Sequence, residues 1–261
     1  MQHTLAQIIA LVGLASSAVG QARVVITEIM YNPNSNEKKG ETEWVEIANV
    51  GSESLEMKDW RLDDEDKAKW GKFSCTLAPG GVAVLINGDC VKEEQFRAAW
   101  DITPESGDTT AKPSYQVIPV KWSRISNSPS ATDEILQLRN DRDEAVCEVK
   151  QQGEWPSCKK PDGPSIWLSD LKATNLSDGK LWRRSENGKD GAHHNKQTSI
   201  FDGVDVGSPG FVPGLTPAPA NMTSSGAPAP TDSTKTPTKT PETKTPETKT
   251  QDKPAGETGG N

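Results

Sequence analysis

What most constrains this chain is a series of short β-branched runs, each cut off within a few residues by Gly, Pro, Asn or Asp. Residues 22–31, Ala-Arg-Val-Val-Ile-Thr-Glu-Ile-Met-Tyr, read as a strand stopped by Asn32-Pro33. Trp44 to Asn49 alternates again, and Val50-Gly51-Ser52 turns the chain before a run from Leu55 to Leu62. Lys72 to Leu77 and Val82 to Ile86 flank Ala78-Pro79-Gly80-Gly81, an arrangement that predicts a hairpin. Strand-like runs return at Tyr115 to Val120, Glu134 to Arg139 and Ala145 to Val149, with Asn140-Asp141 turning the last two. Helical spacing is convincing only at Glu93 to Trp100, where Phe96 and Trp100 fall one turn apart and Ala98 and Ala99 favour a helix. Many short strands, frequent turns and one inserted helix predict an all-β sandwich, because an α/β sheet would need helices between its strands.

The two ends of the chain do not follow this pattern. Leu5 to Val19 is an uncharged apolar run closed by small residues, with Ala18-Val19-Gly20 or Gly20-Gln21-Ala22 as a cleavage step. It reads as a signal peptide over residues 1–22, since its length falls short of the roughly 20 apolar residues that cross a bilayer. No later apolar run is long enough to span one either. Residues 214–261 repeat Thr-Pro-Glu-Thr-Lys in a Thr/Pro/Lys-rich setting, a composition that stays extended and solvated, so a disordered tail is expected there. Only 33% of the chain is hydrophobic, which fits two ends that contribute no core. The folded domain is then residues 23–213.

The whole net charge of −8 also belongs to that middle segment, because residues 215–261 hold five Lys and five acidic residues. An acidic domain lacks the clustered Lys and Arg that displace counterions, so neither nucleic acid nor an anionic membrane is an expected partner. Four cysteines, Cys75, Cys90, Cys147 and Cys158, are an even number in a chain expected to be exported. Proximity favours Cys75 with Cys90 and Cys147 with Cys158. Their wide spacing does not suit structural zinc.

Three stretches, ITEIMYNP, EWVEIANVGSESLEMKDWRLDD and FSCTLAPGGVAVLI, resemble in order and spacing the lamin tail domain. That family is an immunoglobulin-like β-sandwich found in nuclear lamins and in exported bacterial proteins. The resemblance runs from about Ala22 to Pro213. It continues through QFRAAWDI, Ile125-Ser126-Asn127-Ser128, the hairpin EILQLRNDRDEAVCEV, Trp155-Pro156, GPSIWLSD and a Gly-Ser-Pro-Gly close at Gly207 to Gly210. It implies an immunoglobulin-like sandwich with buried Trp44, Trp60 and Trp155, and no catalytic residues.

Candidate chemistry is sparse. Glu28, Glu43 and Glu46 fall in two runs that the family fold places close together, where they serve as hydrogen-bond acceptors for a nearby loop, as a cation site or as an acid/base pair. Alternation puts Glu28 on the face of Ile26 and Met30, and Glu46 on that of Trp44 and Ala48. Asp63, Asp64 and Asp66 form a dense acidic run that reads as a solvated turn or a calcium site. His193-His194 lies in a Gly/Asn/Lys-rich loop and reads as surface. No Gly-x-Ser-x-Gly step or Gly-rich phosphate loop occurs. Trp70, between Lys69 and Gly71, and Trp122, between Lys121 and Ser123, have polar neighbours, which makes them candidates for an exposed binding platform.

The reading that follows is a non-catalytic binding or structural module, secreted or held at the cell surface or in the periplasm, and contacting a protein or a surface polymer. No cofactor is expected, with calcium the one possibility. An accessory carbohydrate- or peptide-binding module is the alternative, followed by a hydrolase with an acidic metal site.

Overall fold

The computed structural model describes residues 21–35, 41–64, 70–101, 114–122, 124–125, 135–150, 156 and 163–216. Residues 1–20 of the expected signal peptide, the tail beyond Thr216, Asp66, Trp155 and Cys158 lie outside them.

The alternating runs become strands β1 (Val24–Met30), β2 (Trp44–Asn49), β3 (Leu55–Asp63), β4 (Lys72–Leu77) and β5 (Val82–Asn87). Helix α1 (Glu93–Trp100) follows, then β6 (Tyr115–Val120), β7 (Ile135–Arg139) and β8 (Ala145–Lys150). Short pieces complete the domain: β9 (Ile166–Leu168), β10 (Trp182–Arg184), β11 (His193–His194) and β12 (Val206–Gly207). A six-stranded sheet runs in the order β10-β9-β1-β2-β5-β6 and a four-stranded sheet in the order β4-β3-β7-β8, with β11 and β12 paired separately. The expected all-β, immunoglobulin-like sandwich with one short helix is what forms.

Alternation along β2 and β5 divides the apolar residues between two layers. Val45, Ile47, Ala83 and Leu85 face inward to Met57, Leu62, Phe73, Leu77, Leu138 and Val149 of the opposing sheet, which makes the sandwich core. Trp44, Ala48, Val84 and Ile86 face outward, where Phe96, Ala99 and Trp100 of α1 cover them together with Phe201 and Val212. Trp44 meets Trp100 edge to face at 5.6 Å and Phe96 at 6.2 Å. Helix α1 carries Glu93 and Glu94 in its first turn and Arg97 in its last, which suits its dipole. It also bridges β5 to β6, a parallel pair, and such a pair needs a crossover instead of a tight turn.

Two expectations change here. The Pro79-Gly80-Gly81 turn does not close a hairpin. β4 pairs with β3, whereas β5 pairs with β2 and β6, so the turn carries the chain from one sheet to the other. Gly80 takes φ +70° and donates its N–H to Asn49 O at 2.9 Å, a close approach that a glycine permits. In β1, Ile26 pairs with Ile47 but Glu28 pairs with Glu46, so Thr27 is the extra residue of a β-bulge. The bulge leaves Ile26 in the sandwich core and turns Glu28 to the outer face with Met30.

Candidate functional site

The densest polar constellation in the protein is built on that bulge. Glu28 and Glu46 are register partners on neighbouring strands, and each is 1% exposed. Glu28 Oε1 accepts from Ser208 N at 2.9 Å and from the Ser165 hydroxyl, and Glu28 Oε2 accepts from Ser208 Oγ at 2.7 Å. Ser185 Oγ approaches Glu28 Oε1 at 3.4 Å. Glu46 accepts from Thr27 Oγ1 and from Gly210 N, both at 2.7 Å. The partners converge because β9 lies beside β1 and because the closing Gly207-Ser208-Pro209-Gly210 segment crosses both acids. Burial drives both carboxyls upward. Glu46, which also feels the charge of Glu28, is pushed up to about 8, whereas the hydroxyls and the Ser208 amide partly offset the rise at Glu28.

Glu43 does not join this pair. Its Oε2 accepts from Trp122 Nε1 and Ile125 N, both at 2.9 Å, which ties the chain after β6 to the start of β2. All three glutamates therefore work as acceptors for the fold's own donors. That was the structural reading of them, although alternation grouped Glu28 with both Ile26 and Met30, of which only Met30 shares its face, and did not identify Ser165, Ser185 or Ser208. The signal was present in part: Gly-Ser-Pro-Gly stood out as the domain's close, with nothing to show what it closes over.

The tryptophan platform is corrected. Trp70 is 3% exposed and Trp122 8%, their ring centroids are 4.3 Å apart, and both belong to the sandwich core. Their polar neighbours in sequence say nothing about an indole that turns inward from the end of a strand.

The local disulfides are corrected too, for Cys75 and Cys147 are both unbonded thiols. Cys75 on β4 packs against the sandwich core and Cys90 against the outer, helix-covered layer, so the six-stranded sheet separates them. Cys147 is buried and its sulfur accepts from Ile26 N at 3.4 Å. Burial pushes the Cys75 and Cys147 thiols up to about 11, which leaves them poor nucleophiles.

In the acidic run, Asp63 ends β3 and is bound by Arg61 at 2.8 Å and Arg139 at 3.4 Å, while Asp64 is 5% exposed. Among the described residues, no group of three or more His, Cys, Asp or Glu side chains is placed to hold a metal ion. His193 and His194 form β11 instead of a loose loop. His193 Nε2 lies 2.8 Å from Trp100 O, and His194 Nδ1 lies 3.0 Å from Val204 O.

A second cluster had no signal in the sequence. Asp205 accepts from Asn34 N at 2.6 Å and from the Ser35 hydroxyl, and Asn195 Nδ2 reaches it at 3.2 Å. Burial raises Asp205 to about 6. These bonds fasten the loop after β1 to the loop before β12. A surface cleft of about 480 Å³ lies between β1 and β8 and is lined by Val24, Trp60, Val146, Cys147, Glu148 and Ser177, without a convergent acid, base or nucleophile.

An immunoglobulin-like sandwich whose buried glutamates Glu28, Glu43 and Glu46 accept internal hydrogen bonds defines an all-β module. The chain belongs to the Lamin Tail Domain family, whose model matches residues 17–153. None of the curated proteins compared with the chain matches it. The family match ends just after β8, so Ser165, Ser185, Ser208 and Gly210, which complete the carboxyl site, come from the chain beyond it.

Proposed function

We propose that this protein is an exported, non-catalytic lamin-tail module that acts by contact with a protein or a surface polymer. The observation that carries this reading is the fate of Glu28 and Glu46. An acid/base pair must reach a substrate, and these two are 1% exposed beneath the Gly207–Gly210 segment. Family membership supports the same class, since an immunoglobulin-like domain binds through its edges and loops and needs no reacting group. The sheet edges are β10 and β6 in one sheet and β4 and β8 in the other. Among the described residues no helix is long and apolar enough to cross a membrane.

The reading is tested with the full-length protein. Retention on the intact surface of its own cells, with no turnover of phosphodiester, glycoside or peptide substrates, is the expected result. Turnover that Glu28→Gln abolishes while the protein stays folded would overturn it.

A further inference from the structure

We propose that Glu28 and Glu46 form a one-proton clasp that fastens the closing segment Gly207–Gly210 to the β1–β2 ladder and releases it in alkaline solution. The two side chains are direct register partners on one face, a placement that brings Cβ atoms to within about 5.5 Å across antiparallel strands. Both are buried, and their hydrogen-bond partners Ser165, Ser185, Ser208, Thr27 and Gly210 are all neutral. Two carboxylates so close, both buried and bonded to neutral groups among the described residues, do not both ionise at neutral pH; the pair keeps one proton.

The donors decide where the proton sits. Glu28 receives three hydroxyls and one backbone N–H, which favours the anion. Glu46 receives one hydroxyl and one N–H and takes the proton; the Thr27 hydroxyl can reverse its role and accept it. Burial raises both carboxyls, so the assignment rests on the count of donors.

Other titratable groups around the pair are held elsewhere. Tyr115 of β6 donates its hydroxyl to Asp101 at 2.8 Å, and burial keeps that phenol protonated far above neutrality. Arg97 of α1 lies 4.9 Å over the Tyr115 ring and bonds Glu93 at 2.7 Å. On β10, Arg183 reaches the carbonyls of Lys180 and Trp182, and Arg184 precedes Ser185. The β11 histidines face Trp100 O and Val204 O, and Asp205 before β12 is bound to Asn34. On β5, the register partner of Glu46 is Val84.

The closing segment sits hard against the pair. A Cβ on Gly207 would come within 2.8 Å of Trp44 and 3.2 Å of Glu28 Oε1, and one on Gly210, at φ +88°, within 2.2 Å of Tyr115. A second negative charge in this contact has no room to take on water unless the segment lifts. Because the fold holds the Glu46 proton above its ordinary value of 4.5, stability from this group is full below that value. It declines as pH rises toward about 8 and is gone above it.

The test compares the full-length protein with Glu46→Gln in thermal and urea unfolding from pH 5 to 9.5, with proteolysis of the 207–212 segment followed alongside. In the parent protein the folded-to-unfolded ratio should fall by up to about tenfold per pH unit between pH 5 and about 8 and level off above it. Glu46→Gln should flatten that slope, melt higher than the parent above pH 8 and resist cleavage there. An unchanged slope in the variant overturns the clasp. Should the variant not fold, carboxyl 13C resonances of the parent decide: one Glu titrating above pH 7 supports the clasp, and all titrating below 5.5 overturns it.

Discussion

The two sheets of this sandwich differ in how many faces they bury. β1, β2 and β5 are buried at every position, because the opposing sheet covers one side and α1 with the C-terminal segments covers the other. β4 alternates, with Phe73 and Leu77 inward and Lys72, Ser74 and Thr76 in solvent. A doubly covered sheet has nowhere to send a polar side chain, so its acids must be satisfied from within, Glu28 by serines far along the chain and Glu46 by Thr27 and Gly210. The singly covered sheet settles its charges in ion pairs that reach solvent at one end, as in Arg61, which pairs with the covered Asp63 at 2.8 Å and the exposed Asp143 at 2.5 Å. One sequence thus treats the same residue type in two ways, and the number of covered faces decides which.

If that contrast is right, the outer layer is where truncation does most damage. Trp44 is 0% exposed and contacts both Phe96 and Trp100, so Trp44→Ala should lower stability by about 3–5 kcal/mol. Urea unfolding measures it. A loss under about 1 kcal/mol would mean that the helix-covered layer is soft and the sheet effectively single-faced.

Glu28→Ala comes next. It leaves Ser208 N, Ser208 Oγ and Ser165 Oγ buried without their acceptor, at about 3 kcal/mol in all. Unfolding should begin with the 207–212 segment, which hydrogen exchange at Ser208 would register first.

Elements with clear periodicity were legible in the sequence: α1 at Glu93–Trp100 and β6 at Tyr115–Val120 form where the pattern puts them, and β7 and β8 form the expected hairpin. Whatever depended on the path between sheets was not. A Pro-Gly-Gly turn is the same local chemistry whether the chain returns beside itself or crosses to the other layer, and only the tertiary pairing of β4 with β3 settles that. The bulge at Thr27 parted Glu28 from Ile26 while leaving it with Met30 for a similar reason, since one extra residue shifts a period-two pattern by half. β9 to β12 are two or three residues long, too short for any period to show. The acids of the candidate site were legible as strand residues, whereas the serines that satisfy Glu28 sit just outside short strands, from 137 positions away at Ser165 to 180 at Ser208.

On the solvent face of the four-stranded sheet the effect should nearly vanish. Thr76 is exposed on edge strand β4, and Thr76→Ala should change stability by about 0.5 kcal/mol or less. A change as large as that at Glu28 would place a cover over this face and erase the difference between the sheets.

The smallest expected effect is that of a reductant. Cys75 lies against the sandwich core on β4, while Cys90 follows β5 on the helix-covered side, and an intervening sheet buried on both faces cannot be crossed by a bond that needs Cα atoms within about 7 Å. Cys147 stands as a thiol bonded to Ile26 N. Breaking a bridge at Cys75 or Cys147 would lower stability by roughly 2–4 kcal/mol, whereas a reductant should leave these two sites, and the melting they support, unchanged. Alkylation in denaturant without reductant, followed by peptide mass mapping, is the direct check. Label on both Cys75 and Cys147 is the expected result. An unlabelled Cys75 mapped to Cys90 would require β4 and the end of β5 to share one side of the sheet, which would undo the two-layer division on which the contrast rests.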